Sequence, residues 1–307
     1  MTEYSAPKGV CFYAYNNDQL DYVRMALLAG KYVKKYLNLP VCLITDEGSE
    51  AWLEQSNPSE VVDSVFDYII VTNDEMKSNA RRHYDSPWTE FSAQFNNSNK
   101  HKIYEYSPFE KTLLLDIDYI VKSDKLLKYF EGDHNVCMYD NALTLRNELP
   151  ADRERFLYDA GIKMWWSTVV YFDRSDFSKM FFDTWAHVAD NYEFYQYLYN
   201  FPSKLFRTDY CVSIAVHILS GMTGEHDLLG NFDNTSMYNM SQKDDLIESE
   251  NLTDWIFLAH SPREQWKNIL VRSKSDVHVM NKRALGRALP TLMEKFDVWW
   301  TASWKRR

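Results

Sequence analysis

The chain has 307 residues, 45% hydrophobic and 25% charged, with a net charge of −10. That is enough chain for one large soluble domain or two small ones with a sizeable core, and the nine Gly and nine Pro are too few for long flexible linkers. No run approaches the ~18 apolar residues of a membrane helix, and the opening MTEYSAPKGV lacks a basic-then-apolar secretory signal. Cys11, Cys42, Cys137 and Cys211 are widely spaced, which fits neither a zinc pattern nor a small disulfide scaffold. Buried free thiols in a cytoplasmic protein are the expectation, and the sequons at Asn96, Asn234, Asn239 and Asn251 then read as chance.

In chain order, GVCFYAY (9–15) reads as a first strand, broken by Asn16, Asn17 and Asp18. Leu20, Val23, Leu27, Leu28 and Val33 recur at helical spacing and predict a helix over 19–36. PVCLITD (40–46) is a second buried strand, residues 49–65 a helix broken at Pro58, and FDYIIVTND (66–74) a third strand. This βαβαβ pattern predicts parallel strands with right-handed crossovers, whose ligands lie beyond the carboxyl ends of the strands. Those ends are polar here: YNND, TDEG and TNDE.

Residues 75–100 read as an irregular excursion or a helix with loops. A strand at 111–116, a helix after Ser123–Asp124 and a strand at 135–139 follow. Residues 141–162 form a second excursion, with a polar loop at 141–156 expected over the site. KMWWSTVVYFD (163–173) is another buried strand and 176–200 is helical. The apolar helix at 207–221 has Thr208 or Asp209 near its start and Gly221 as its stop. DWIFLAH (254–260) reads as the last strand, ending on His260. The fold class is α/β, a mixed and mainly parallel sheet flanked by helices, with 1–270 as one catalytic domain and 271–307 as a basic, amphipathic extension packed on it.

The stretch KTLLLDIDYIV (111–121) concentrates the chemistry: four apolar residues run into Asp116 and Asp118. Residues i and i+2 of a strand share a face, so at a strand's end both carboxylates can turn toward one hard cation, Mg²⁺ or Mn²⁺, that also takes substrate phosphates. Three metal-using readings compete. One is a glycosyltransferase whose metal bridges D-x-D to a nucleoside diphosphate. Another is an aspartyl-phosphate phosphatase, although Ile120 stands where that class has Thr and three βα units come first. The third is a two-metal nuclease, which needs further carboxylates.

The segment NKHKIYEYSPFEKTLLLDIDYIV resembles GT-A fold glycosyltransferases, especially the glycogenin-like, retaining family eight, with Lys100 and Lys111 at the family's two basic positions. VCFYAYNNDQLDYVRMALLAGKYV is similar to their first strand and helix. The resemblance implies that Tyr13, Ala14, Tyr15 and Asn17 hold base and ribose, with Asp46 as a base contact or a turn former. MWWSTVVYFDRSDF resembles the strand lining the donor sugar, with Ser167 and Thr168 where Asn and Gly are usual. FRTDYCVSIAVHIL resembles an Asp-Gln element in which Asp209 matches and Tyr210 replaces Gln; Asp209 and Lys100 are the implied catalytic residues, and Asp209 could equally be a helix N-cap. LAHSPREQWK resembles a late His…Lys element, with His260 as third metal ligand beside Asp116 and Asp118 and Lys267 on the diphosphate. The implied activity is transfer of a hexose or pentose from a nucleoside-diphosphate sugar, with retention, using Mn²⁺ or Mg²⁺.

The acceptor is open: a glycan, a protein or modified DNA. Residues 263–307 hold 11 Lys and Arg against 4 Asp and Glu. Leu292, Phe296, Trp299, Trp300 and Trp304 lie near one helical face, with Arg283, Arg287, Lys305, Arg306 and Arg307 around them. This reads as an amphipathic helix docked on the domain, or as a surface for a membrane or polyanion. A phage-type enzyme acting on hydroxymethylated bases in DNA would suit it, and a nucleotide-sugar-binding module without turnover is the non-enzymatic alternative.

Overall fold

The structure is a computed structural model that describes residues 6–74, 79–94, 98–149, 155–201, 205–223, 228–232, 237–261 and 267–297. Its first part alternates as expected: β1 (Ala6–Tyr13), α1 (Tyr22–Tyr36), β2 (Val41–Thr45), α2 (Glu47–Ser56), α3 (Ser59–Asp63) and β3 (Tyr68–Val71). The middle contains β4 (Ala80–Tyr84), β5 (Glu90–Gln94), α4 (Ile103–Tyr106), β6 (Phe109–Leu115), β7 (Tyr119–Ile120), β8 (Val136–Tyr139), β9 (Ala142–Thr144), β10 (Phe156–Leu157), β11 (Ile162–Lys163) and β12 (Trp166–Phe172). Helices α5 (Asp176–Asp190), α6 (Tyr192–Leu198) and α7 (Thr208–Leu219) follow. The chain then runs through β13 (Gly230–Asn231), β14 (Met237–Met240), β15 (Asp245–Ser249), β16 (Trp255–Ala259), β17 (Ile269–Ser273) and β18 (Val277–Val279) to α8 (Lys282–Glu294).

The central sheet has the order β13-β8-β12-β6-β1-β2-β3. Only β12 runs against its neighbours β6 and β8, while the β1–β2, β1–β6, β2–β3 and β8–β13 pairs are parallel. Strands buried on both faces need apolar residues at every position, and alternate residues of the runs already noted divide between two cores. Val10, Phe12, Leu43, Leu113 and Leu115 pack with Val23 and Leu27 of α1 and Leu285 and Leu289 of α8. Cys11, Cys42, Ile44 and Leu114 face the other way, toward Phe181 and Trp185 of α5 and Val212 and Ala215 of α7. Each fully buried Leu or Phe contributes ~1.5–3 kcal/mol. All four cysteines are buried and unbridged.

Local signals set the helix ends. The Asp21 carboxylate accepts the Arg24 N–H (3.2 Å), so α1 starts three residues later than the apolar spacing suggested. Gly221, at φ +72°, stops the segment after α7. Residues 125–130 form a 3₁₀ helix where a helix was expected.

Two expectations need correction. Residues 80–94 form the β4–β5 hairpin, not an irregular or helical excursion. Arg287 clamps it from α8, binding both oxygens of Asp85 (2.8 and 2.7 Å). The strand that leads to His260 is also not the last. It is the middle of the β15-β16-β17 sheet, and β18 follows it to join a four-stranded sheet, β7-β18-β14-β9. Among the described residues no helix is long and apolar enough to cross a membrane. Residues 298–307, with Trp299, Trp300, Trp304, Lys305, Arg306 and Arg307, lie outside the described residues.

One buried charge has an uncommon environment. The Lys122 ammonium lies 3.9 Å from the centre of the Trp255 ring and 5.8 Å from that of Phe257, with no hydrogen-bond acceptor among the described residues. Burial pushes its pKa down to about 7, against the opposing pull of Asp276 and Asp254. A depressed lysine pKa means that folding favours the neutral amine, so this site's contribution to stability falls as the pH drops from about 10.5, the ordinary value, through 7. Lys122→Met should therefore raise stability at pH 7 by ~1–4 kcal/mol, the range seen when buried charges give way to apolar groups of similar volume. In thermal melts across pH 6–10 the gain should shrink toward pH 10.

Candidate active site

The carboxyl ends of β1 and β6 open into one pocket, lined by residues far apart in sequence. Of the candidates named above, Tyr13, Tyr15, Lys100, Asp116, Asp118, Ser167, Thr168 and Asp209 line it. Tyr13 and Tyr15 stack at the end of β1, ring centres 6.1 Å apart. The Tyr13 hydroxyl is buried without a hydrogen-bond partner among the described residues, and the Tyr15 hydroxyl meets Thr72 Oγ1 at 3.3 Å. Burial raises the pKa of both, that of Tyr15 to about 12, so both stay neutral phenols.

Asp116 and Asp118 stand just past β6, on either side of the buried Ile117. Asp116 accepts Lys100 Nζ at 2.6 Å. Asp118 is only 2% exposed and accepts Lys282 Nζ at 2.6 Å, with His278 Nε2 at 3.4 Å. Burial alone would raise the pKa of Asp118; Lys282 and His278 outweigh it and hold the carboxyl well below the ordinary range. The same pair raises the pKa of Lys282 although burial opposes it.

Asp116, Asp118 and His278 offer ligand atoms within 4.8 Å of one another, a set that could hold a metal ion. Local chemistry fits one. His278 Nδ1 meets Asn239 Oδ1 at 3.1 Å, and its Nε2 faces an Asp118 carboxylate oxygen at 3.4 Å. Two facing acceptors at that distance call for a shared proton or a cation between them, and either one joins the ring to the carboxylate. Two carboxylates and one imidazole suit Mn²⁺ or Mg²⁺.

His260 is therefore not a member of the carboxylate cluster; His278 is. β18 pairs antiparallel with β7, setting His278 opposite Tyr119, and the Val279 N–H donates to the Asp118 carbonyl (2.7 Å). This pairing carries His278 to the aspartates and starts α8 with Lys282 beside them. His260 lies at the end of a different sheet, its ring edge-on to Trp88 (5.8 Å) and its N–H on Asp244 (2.8 Å). The signal for the pair that stands beside the aspartates is VHVMNK (277–282): a His inside a short apolar strand, an Asn that caps a helix, then a Lys.

Five further candidates do not line the pocket. The Ala14 carbonyl accepts Thr45 Oγ1 (2.6 Å), Asn17 ties the end of β1 to the Gln94 carbonyl (2.7 Å), and Asp46 caps α2 through the Ser49 N–H (2.8 Å). Lys111 lies five residues before Asp116, ~16 Å back along the strand, and donates to the Phe130 carbonyl (2.8 Å). The Lys267 carbonyl accepts from Arg146 (2.9 Å), within the polar stretch 141–156 expected over the site; among its described residues that stretch contributes none to the pocket lining.

Asp209 is not the cap of α7; Arg207 stands at that position and makes no side-chain cap bond. Asp209 Oδ1 instead accepts both the N–H (3.0 Å) and the hydroxyl (2.7 Å) of Ser167, while Oδ2 lies 3.6 Å from Arg207. Burial raises its pKa, and Arg207 and Ser167 together reverse the shift. These bonds exist because β12 is irregular. Its pairing with β8 jumps between Trp166 and Val170 and releases Ser167 from that ladder. The Ser167 carbonyl then accepts Lys100 (2.5 Å), while on the other side the Thr168 carbonyl extends the pairing with β6 by accepting the Asp116 N–H (2.8 Å). Arg81, His83 and Gln242 also line the pocket and had no signal in the sequence pattern.

No protein-family model matches this sequence, and no curated protein does. Among solved structures, the chain is similar to the glycosyltransferase GlyE of Streptococcus pneumoniae TIGR4 (13% identity, TM-score 0.40), covering 75% of this chain and 46% of GlyE, so it spans about half of that protein. It is also similar to the galactosyltransferase LgtC in complex with donor and acceptor sugar analogues (13%, 0.41; 67% and 70%). A third is mouse xyloside xylosyltransferase 1 (9%, 0.38; 68% and 81%).

Because Asp118 is buried, removing its partner should be costly. Lys282→Met should destabilise the fold by ~3–5 kcal/mol in urea denaturation at neutral pH. The double variant Asp118→Asn/Lys282→Met should cost clearly less than the sum of the two single changes, a coupling that additive losses would contradict.

Proposed function

We propose that the chain is a glycosyltransferase that uses Mn²⁺ or Mg²⁺ to move a sugar from a nucleoside-diphosphate sugar to a hydroxyl acceptor, with retention. The observation that carries this is the convergence, beyond the carboxyl end of a parallel strand, of Asp116, Asp118, His278 and Lys282 in a pocket walled by Tyr13 and Tyr15. The family resemblance of the sequence points the same way.

In this reading Tyr13 and Tyr15 pack against the base. Asp116, Asp118 and His278 hold the divalent cation, which when bound supplies Lewis-acid stabilisation of the departing diphosphate. Lys282 donates to the diphosphate oxygens, and its raised pKa keeps it charged at neutral pH. Lys100 and Asp209, fixed by Ser167, border the sugar and set its orientation. Asp116, Asp118 and Asp209 each already accept from or pair with a cation, so none stands as an unengaged base for an inverting attack; this supports retention.

A thermal-shift panel of nucleoside-diphosphate sugars should find at least one that, at a hundredfold excess over its dissociation constant and with Mn²⁺, raises Tm by about 5 °C or more. Chelator should remove the shift, as should Asp116→Ala and Asp118→Ala. Nucleotide binding indifferent to chelator and to both substitutions would make the metal assignment wrong.

A further inference from the structure

The β4–β5 hairpin and the C-terminal sheet meet at Gln242, a pocket residue to which the donor reading gives no role. Gln242 lies in the turn after β14, and that turn is stitched to the start of α8. The Met280 N–H donates to the Met240 carbonyl (3.0 Å), and the Asn281 side chain donates to the Asp244 carbonyl (2.9 Å). Asn239 stands opposite His278 in the same pairing, so Gln242 belongs to the edge of the pocket formed by His278, Met280 and Lys282. The Tyr84 N–H donates to Gln242 Oε1 at 3.0 Å. A backbone N–H can only donate, so the carboxamide oxygen faces the hairpin and the amide nitrogen turns away from it. That nitrogen's N–H donors have no partner among the described residues. Lys100 and Lys282 differ, since each already donates to a carboxylate. Gln242 thus presents donors that are fixed before a ligand arrives and that can meet one without breaking an ion pair.

We propose that Gln242 donates to the diphosphate oxygens of the bound nucleotide sugar, with the β4–β5 hairpin setting the direction of its amide. The inference rests on the glycosyltransferase reading and adds a binding residue to it. Position favours the diphosphate, because Gln242 shares its edge of the pocket with Lys282 and His278, which that reading gives to the diphosphate and its cation. Chemistry favours it too. An amide whose oxygen is engaged can only donate, and ionised phosphate oxygens only accept, whereas sugar hydroxyls do both.

The test uses the full chain with saturating Mn²⁺. The nucleoside diphosphate that stabilises the unaltered protein most, and the corresponding nucleotide sugar, are titrated by calorimetry. Gln242→Glu keeps an acceptor for the Tyr84 N–H and replaces the donors with an oxygen, while Gln242→Met removes both functions. Each should weaken the nucleoside diphosphate by about tenfold or more, as expected for a lost hydrogen bond to a charged group, and the nucleotide sugar by the same factor. Gln242→Glu should lose the more, because its charge opposes the phosphates. Its Tm without ligand should stay within about 2 °C of the unaltered protein; weakening seen only in variants whose unliganded Tm has fallen overturns the direct contact. Undiminished affinity in Gln242→Glu would mean that the hairpin contact alone matters and overturns the proposal. So does a loss confined to the nucleotide sugar, which would assign Gln242 to the sugar. These outcomes leave the donor site standing. Failure of every nucleoside diphosphate to stabilise the unaltered protein overturns the reading beneath, and the role of Gln242 with it.

Discussion

The pocket depends on keeping one buried carboxylate ionised. Asp118 is removed from water at the end of the central sheet, where a lone carboxylate would take up a proton. It stays charged because Lys282 and His278 meet it, and both come from residues about 160 positions later in the chain. They arrive through a backbone device. β18 pairs with β7 immediately after the aspartates, and the Asn281 side chain accepts the Ala284 N–H to begin α8 at the next residue. The C-terminal segment therefore supplies the counter-charge of the site as well as packing on α1.

The opposite wall depends on an interruption. A regular β12 would give the backbone groups of Ser167 to β8. Because the register jumps there, they instead bind Lys100 and Asp209, while the Thr168 carbonyl carries the pairing with β6 on to the Asp116 N–H, joining β6, β12 and α7 at one point. Buried polar groups that are satisfied in this way hold side chains rigidly. Lys100 illustrates this: it is 6% exposed, so its ammonium has little room to leave the Asp116 carboxylate. The price in ladder hydrogen bonds is small against the precision gained by the three elements that meet there.

Much of this was legible in sequence, for local reasons. Continuous apolar runs marked β1, β2, β6, β8 and β12, and the strand-end position of Asp116 and Asp118 put them at the pocket. Lys100, Ser167, Thr168 and Asp209 came from the resemblance of the segments around them to GT-A glycosyltransferases, and all four line the pocket. What could not be read was long-range pairing. His260 and His278 both end or interrupt short apolar strands and both precede a lysine, and only the β7–β18 contact distinguishes them. The β4–β5 hairpin was missed because its strands, ARRHY and EFSAQ, are half exposed and polar. Its order comes from the contacts of Arg287, Gln242 and Asn17 with distant segments.

The basic bias of residues 263–307 changes meaning in this light. As a linear pattern it reads as a surface for a polyanion. Among the described residues, Arg272 and Lys274 pair with Asp254, Arg287 joins Asp85 to Asp245, and Lys282 neutralises Asp118. These cations are engaged with the acidic body of the chain, whose charge the linear count had set apart from theirs. Pairs at the surface add little stability each, but Arg287 and Lys282 act at positions that shape the pocket, one by holding the hairpin and the other by balancing a buried aspartate. The chain can thus be acidic overall and still place cationic side chains against the carboxylates of its pocket, where charges are screened far less than those on the surface. Net charge describes the molecule's exterior; the pairing pattern decides what its pocket attracts.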